Sequence, residues 1–402
     1  MSVRAKTTVL KRGLLIIVPI LLLGGYISWA FSRPLPTLYP TNDLATLKAI
    51  TPTPPISWSG YGEQAIGIVG SGVLATAGDQ KPLPTASVAK TMVALAVLQK
   101  KPLALGQQGP NIPISAADVA LYQQDAAEDQ SVIPVAVGEK LTEYQALQAL
   151  FLSSANNIAT TITNWAFGSQ AAYLAYANSY ATTLGMTQTT FSDASGFSPQ
   201  TTSTPADLVL LGETAVKHPV IAEVANQYTA TLPIVGAVQN YNINVQPGSN
   251  TGITGLKTGN TDQGGGSFLY ASPYDKDTTI VGIILDAPNL GTALHDAPIV
   301  ASSIRANLHT DEVVTAGQKV AHYTVPWGGT INAVAQNTLS VVDWKGTQIP
   351  VIPKSVAISP RSAKGKVVGT TTFSYNSATH ATNLVLDQAV PGPSLWWRLL
   401  HP

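Results

Sequence analysis

The sequence predicts an α+β domain followed by a small all-β domain, both carried behind an apolar N-terminal segment. Three observations lead there. The chain has 402 residues, more than one hydrophobic core usually serves. Between about residues 60 and 308, strand-like text at both ends encloses a run of helical patterns, which suggests one antiparallel sheet packed with helices. After Thr310 the text breaks into short strands separated by turn residues. Apolar residues make up 45% of the chain, with 33 Gly and 28 Pro, which excludes a wholly disordered or fibrous protein.

At the N-terminus, Arg4, Lys6, Lys11 and Arg12 precede an uncharged stretch, residues 14–31, containing LLIIVPILLLGG. That is the charged region and apolar core of an export signal, at the length threshold for spanning a bilayer. The leading positive charge holds the tip of residues 1–33 in the cytoplasm and sends the rest outside. The expectation is a single-pass signal anchor in the cell membrane. Ser28-Trp29-Ala30 also offers a small-x-small site for a cleaved signal peptide. Residues 34–58 hold six prolines and read as a semi-extended tether.

The strand text begins at AIGIV and GVLATAG, split by Gly70-Ser71-Gly72 as a hairpin signal. Helical patterns follow at 87–99, 142–152, 157–166 and 171–184, then strand patterns at 252–258, 266–271 and 278–285. A helix over 297–308 closes the first domain, 59–308. The all-β domain, 309–402, carries KVAHYTV, TINAVAQ, LSVVDW, KVVGTTTFSY and ATNLVLD. Its Leu395-Trp396-Trp397-Arg398-Leu399-Leu400 tail suits either an interfacial membrane contact or docking on its own domain.

Charge and composition exclude several functions. Charged residues are 11% of the chain and balance to zero, so no basic surface for nucleic acid is advertised. Cysteine is absent, which removes a disulfide framework, a thiol nucleophile and thiolate zinc sites. The six histidines show no metal-ligand spacing, and no metal or other cofactor is expected.

Three constellations carry chemistry. Ser87 and Lys90 stand three residues apart at the start of the nearly apolar helical run TMVALAVLQ, so they share a face one turn apart. A serine there sits beside unpaired N–H groups that favour an oxyanion. A lysine on so apolar a helix is desolvated, its ammonium disfavoured, and its neutral amine can take the serine proton. Alone, the pair also fits a capping serine with a surface lysine. Downstream, Ser154 and Asn156 project from one turn, a hydroxyl for proton relay and an amide to hold a peptide; a simple Ser/Asn turn reads the same way. Last, Lys257, Thr258 and Gly259 end a strand before the Gly264-Gly265-Gly266 turn. Such a strand can pair with an extended peptide and clamp its carboxylate, or it is a hairpin with an exposed lysine.

In this order, with gaps of 67 and 103 residues, the three match the Ser-x-x-Lys, Ser-x-Asn and Lys-Thr-Gly set of penicillin-binding proteins and serine β-lactamases. VAVGEKLTEYQALQALFLSSANN, LGMTQTTFSDASGF, STPADL and GLKTGNTDQGG resemble the low-molecular-mass D-alanyl-D-alanine carboxypeptidases of the peptidase S11 family. The resemblance covers about residues 60–308 and, more loosely, the β domain. It implies the penicillin-binding-protein-like transpeptidase fold and serine-type removal of the terminal D-alanine from peptidoglycan stem pentapeptides, with β-lactams as covalent inhibitors. It further implies Ser87 as nucleophile, Lys90 as its base and Ser154 as proton relay. Asn156 would hold the peptide, Lys257, Thr258 and Gly259 the carboxylate, and the N–H groups of Ser87 and Asn260 the oxyanion.

The chain departs from the family pattern where an arginine is expected near the substrate carboxylate; it reads NLGTALHD at 289–296, so the carboxylate is either bound more weakly or met by His295. Asn157 stands where the family often has Asp. Three rival readings follow. A class A β-lactamase needs a glutamate for deacylation, but between Glu143 and Glu213 the only acids are Asp193 and Asp207. A D,D-endopeptidase or transpeptidase would use the same acyl-enzyme with another acceptor. A non-catalytic peptidoglycan-binding module would keep the fold without turnover.

Overall fold

The computed structural model describes residues 3–43, 47–48, 55–262, 264–343, 349–375 and 378–401. The chain divides into two compact units. The larger runs from Thr53 to His309; the smaller combines residues 1–52 with almost everything after 309.

The N-terminal segment forms helix α1 (Val3–Ser32), with Pro19 inside it. Its bases Arg4, Lys6, Lys11 and Arg12 lie outside the residues whose side chains are described. Among the described residues no helix is long and apolar enough to cross a membrane. The segment expected as a free tether differs from that expectation. Strand β1 (Pro40–Asn42) pairs with the strand of Lys319–Thr324, Pro40 opposite Tyr323 and Asn42 opposite Ala321. Leu38, buried, exchanges backbone hydrogen bonds with Ile358. Proline is tolerated at the first position of an edge strand, where no ladder donor is missed, so a proline-rich composition did not preclude pairing. Residues 44–46 and 49–54 of that segment lie outside the described residues.

In the larger unit, β2 (Glu63–Ile68) and β3 (Gly72–Ala77) form the expected hairpin. The helices α2 (Lys90–Lys100), α3 (Ala116–Ala127), α4 (Glu143–Phe151), α5 (Asn156–Phe167), α6 (Gln170–Thr183), α7 (Pro205–Val216) and α8 (Pro219–Ala225) follow. Strands β4 (Leu256–Thr261), β5 (Gly265–Pro273) and β6 (Thr279–Ala287) return to the sheet, and α9 (Leu290–Arg305) closes it. The sheet is antiparallel throughout, in the order β4-β5-β6-β2-β3.

Period-two alternation sorts the sheet's side chains onto two faces. Leu269, Ala271, Val281 and Ile283 join the core of the helical layer, while Phe268, Tyr270 and Ile284 pack with Ala293 and Ala297 of α9. Helix α2 runs through the middle of the helical layer, with every residue from Lys90 to Leu98 buried. That explains a sequence with no polar face: this helix has no solvent side.

Helix α9 begins at Leu290, earlier than the 297–308 expected, because Asn289 caps it and Pro298 lies inside it. Proline removes the N–H that would bond the carbonyl of Leu294. Here the buried Asn244 side chain donates to that carbonyl at 2.9 Å, so the helix passes through the proline with the acceptor satisfied.

In the smaller unit, β7 (His309–Val314), β8 (Lys319–Thr324), β9 (Thr330–Ala335), β10 (Leu339–Asp343), β11 (Ile352–Ser355), β12 (Val367–Tyr375) and β13 (Ala378–Leu386) precede a last helix, α10 (Leu395–Leu400). Six strands make one sheet in the order β1-β8-β9-β13-β12-β11. Val320, Ile331, Val368, Phe373 and Leu384 fill the core. Helix α10 docks on its own unit. Trp397 stacks edge-on with Trp327 at 5.2 Å, Tyr26 of α1 donates to the Leu399 carbonyl, and Arg398 donates to the carbonyls of Phe31 and Arg33 at the end of α1, a cationic cap at a helix C-terminus.

Candidate active site

Ser87 sits in a single 3₁₀ turn, Ala86–Ala89, and Lys90 is the first residue of α2. The turn is held from behind. Leu83 and Pro84 pair with Ser203 and Thr202, and the Thr85 N–H donates to the Thr201 carbonyl at 3.0 Å. Ala86 has φ +47°, a left-handed conformation that costs a residue with a Cβ roughly 1–2 kcal/mol and persists only where the surroundings enforce it. The surroundings here are tight. A Cβ at Gly196 would stand 1.8 Å from the Ala86 carbonyl oxygen, and one at Gly259 would stand 3.1 Å from the Ser87 nitrogen. Glycine at both positions lets two backbone segments close around the serine.

Lys90 is fully buried. Its Nζ lies 2.8 Å from Ser87 Oγ, 2.6 Å from Asn156 Oδ1 and 2.8 Å from the Ser195 carbonyl oxygen. Burial is the largest influence on its pKa, followed by the neighbouring charge of Lys257; together they hold it well below the ordinary lysine value. A neutral amine has two N–H bonds and one lone pair. The Asn156 oxygen and the Ser195 carbonyl can only accept, whereas the Ser87 hydroxyl can donate. The three neighbours therefore suit the neutral form, with its lone pair turned to the serine.

Asn156 is itself fixed. Its Nδ2 donates to Gln130 Oε1 at 2.6 Å and its backbone N–H to the Ser131 carbonyl at 2.7 Å. Asn157 bonds both ways to the Ile133 backbone, donating at 2.9 Å and accepting at 3.2 Å. An ionised aspartate could not supply the donor, which explains the amide at that position. Ser154, φ +55°, ends the α4 side of the turn. Its hydroxyl accepts from Lys257 Nζ at 3.1 Å, and Lys257 also donates to the Thr258 carbonyl at 2.9 Å. Burial alone pushes Lys257 down to about 7. Lys257, read from sequence as either exposed or functional, has no exposed surface.

Ser87, Lys90, Ser154, Asn156, Lys257, Thr258, Gly259 and Asn260 thus converge on one cleft, at the outer edge of the sheet where β4 pairs only with β5. The cleft has two lobes that share Ser87, Asp129, Ser131 and Asn260. One, about 340 Å³, is walled by Glu128, Asp129 and Asp262 with no base among the described residues. The other, about 540 Å³, is bounded by Thr258, Gly259 and the first residues of α9. His295 lines neither; it is exposed and bound to Asp296 at 2.8 Å, so the sequence-based suggestion that it meets a carboxylate is not supported by its placement.

Ser195 and Gln130 were not found by sequence reasoning. Both act through Lys90 or Asn156, one by a backbone carbonyl that any residue could offer. The nearby sequence signal was Asp193, whose carboxylate accepts from Ser195 Oγ at 2.6 Å and from the Phe197 N–H at 3.0 Å and so shapes the loop. Asp207 is likewise structural, accepting from the Gln188 N–H and from Thr189 beside the start of α7. Neither of the acids between Glu143 and Glu213 substitutes for a deacylating glutamate.

The profile of the D-alanyl-D-alanine carboxypeptidase family, peptidase S11, matches residues 67–289. The D-alanyl-D-alanine carboxypeptidase DacC of Escherichia coli is 27% identical over 223 residues, 54% of this chain and 53% of that protein; the chain thus aligns with about half the length of this curated relative. Among solved structures, penicillin-binding protein 5 of Haemophilus influenzae is similar with a TM-score of 0.61 at 16% identity, over 85% of this chain and 100% of that one. The S96A mutant of the Streptomyces K15 DD-transpeptidase is similar with a TM-score of 0.54 at 22% identity, over 62% and 98%. At such identities the structural likenesses carry the fold, which is the transpeptidase fold expected from the motifs.

Proposed function

The chain belongs to the D-alanyl-D-alanine carboxypeptidase family, peptidase S11, and on that premise we propose that it removes the terminal D-alanine from peptidoglycan stem pentapeptides through a Ser87 acyl-enzyme. The observation that carries this is the Lys90 amine, buried and 2.8 Å from Ser87 Oγ, with its other two neighbours pure acceptors. Neutral Lys90 takes the Ser87 proton as Oγ bonds to the carbonyl carbon of the D-Ala–D-Ala link. The N–H groups of Ser87 and Asn260 receive the oxyanion; one such donor is worth roughly 2.7–4 kcal/mol in acyl transfer. Ser154 passes a proton to the departing amine as the C–N bond breaks, and free D-alanine leaves. Water then attacks the ester, restoring Ser87 and Lys90. The close approach of the Gly259 backbone to the Ser87 nitrogen supports placing both oxyanion donors together.

The polarity of the cleft orients the peptide. The leaving D-alanine carboxylate goes to the Thr258 lobe beside Lys257, Asn156 holds the peptide backbone, and the acyl portion occupies the acid-walled lobe. β-Lactams acylate the same hydroxyl. We assign the N-terminal helix to the cytoplasmic membrane, with the larger unit outside; Leu21, Leu22 and Leu23 are all exposed in the structure, and the uncharged run of residues 14–31 supports insertion.

Fluorescent penicillin is expected to label the protein covalently, and Ser87→Ala to abolish labelling while leaving the thermal unfolding curve unchanged. Pentapeptide muropeptides should release D-alanine. Labelling without release would support the non-catalytic binding reading, and dimeric products from the same incubation would support transpeptidation. Removal of residues 1–33 should move the protein from the membrane pellet to the supernatant.

A further inference from the structure

We propose that Glu128, which touches none of the reacting atoms, is a positioning residue for the acylation of Ser87: through Gln130 it fixes which end of the Asn156 amide faces Lys90. This rests on the Ser87 acyl-enzyme reading and adds a residue that lies outside the three motifs.

A continuous run of hydrogen bonds leads from the rim of the acid-walled lobe to the nucleophile. Glu128 Oε2 accepts from Gln130 Nε2 at 2.8 Å, and Gln130 Oε1 accepts from Asn156 Nδ2 at 2.6 Å. Asn156 Oδ1 in turn accepts from Lys90 Nζ at 2.6 Å, and that nitrogen lies 2.8 Å from Ser87 Oγ. The direction of this run needs a cause. Each amide has a donor end and an acceptor end, and a half-turn exchanges them. A neutral Lys90 both donates and accepts, so it would tolerate either orientation. The Gln130 side chain has no partners other than Glu128 and Asn156 among the described residues.

An ionised carboxylate only accepts. Glu128 therefore draws the Gln130 nitrogen to itself and leaves the Gln130 oxygen for Asn156. The Asn156 nitrogen follows, and its oxygen is left for Lys90. Turned the other way, the Asn156 amide would aim an N–H at Lys90 and occupy the lone pair that takes the serine proton.

The placement of Glu128 is a second pointer. It is exposed and caps the C-terminal end of α3, the end where the helix dipole disfavours an acid. Helix stability thus does not account for a carboxylate there. Its side-chain partners among the described residues are Gln130 and, at 3.4 Å, Gln124 one turn back.

Glu128→Lys replaces an acceptor-only group with a donor-only one and should reverse the run. In the full-length protein, the second-order rate of acylation by fluorescent penicillin should fall about 10-fold at its plateau. Its acid limb should move to lower pH, because an N–H turned to the Lys90 amine disfavours the ammonium. Lys257, Asp193 and Asp125 are the other charged groups that act on Lys90, and none is altered. The unfolding temperature should hold or rise, a base being favoured at the C-terminal end of α3. Adding Gln130→Glu puts an acceptor-only group back against Asn156 and should restore most of the rate. A limb that moves without a lower plateau would be the work of the added charge alone, and a lower plateau with an unmoved limb would be general loosening. Either result, or failure of the second substitution to rescue, would overturn the assignment. A wild-type protein that penicillin never labels would instead remove the Ser87 reading beneath it.

Discussion

Lys90 and Lys257 are two buried lysines assigned opposite charge states. Lys90 acts as a base only when neutral; Lys257 attracts a carboxylate only when protonated. Both values lie below the ordinary lysine range because burial disfavours the charged form. Activity should therefore rise with pH as Lys90 loses its proton and fall above about 7 as Lys257 loses its own. A bell-shaped kcat/KM profile is expected. Lys257→Arg keeps a charge that does not titrate, so it should abolish the alkaline limb and spare the acid one. A wild-type profile that climbs steadily to pH 9 would show that the Lys257 charge is not needed. At this scale the sequence was informative where chemistry is local. Ser87 and Lys90 are one turn apart, and an apolar neighbourhood announces a desolvated amine. The Ser195 carbonyl and Gln130 were invisible because their roles depend on where distant backbone folds, not on residue type.

Helix α9 shows what pattern reading misses in an element. Periodicity placed its start near Pro298, a residue that favours helix beginnings, yet the cap is Asn289. What makes an interior proline tolerable is Asn244, 50 residues earlier, bonding the Leu294 carbonyl. Asn244→Ala should destabilise the larger unit by about 1–3 kcal/mol, read as a lower unfolding temperature. Adding Pro298→Ala supplies the missing N–H and should recover part of that loss, a coupling that a double-mutant cycle measures. Helix α2 was easier to read. Its nearly apolar text led to the expectation of a desolvated Lys90, and every residue from Lys90 to Leu98 is buried, because a helix without a polar face has nowhere else to go.

For the whole molecule, the smaller unit is assembled from both ends of the chain. Residues 38–42 supply a buried leucine and an edge strand to a sheet otherwise built from residues after 309. Leu38→Ala should therefore cost about 2–5 kcal/mol, lowering only the unfolding transition of the smaller unit in calorimetry while penicillin labelling at Ser87 persists. Loss of labelling in parallel would show that the units do not unfold independently. Residues 53–309 expressed alone should retain labelling, since every residue assigned to the cleft lies within them.

The linear text was sufficient for an α+β unit, a β-rich partner and the set of residues that converge on the cleft, because hydrophobic period, turn residues and motif spacing are local properties. Folding decided which backbone carbonyl steadies the Lys90 amine, which helix end opens onto the cleft, and that a proline-rich leader becomes part of a sheet. Each of those depends on partners tens to hundreds of residues away, brought together by burial that no local pattern encodes.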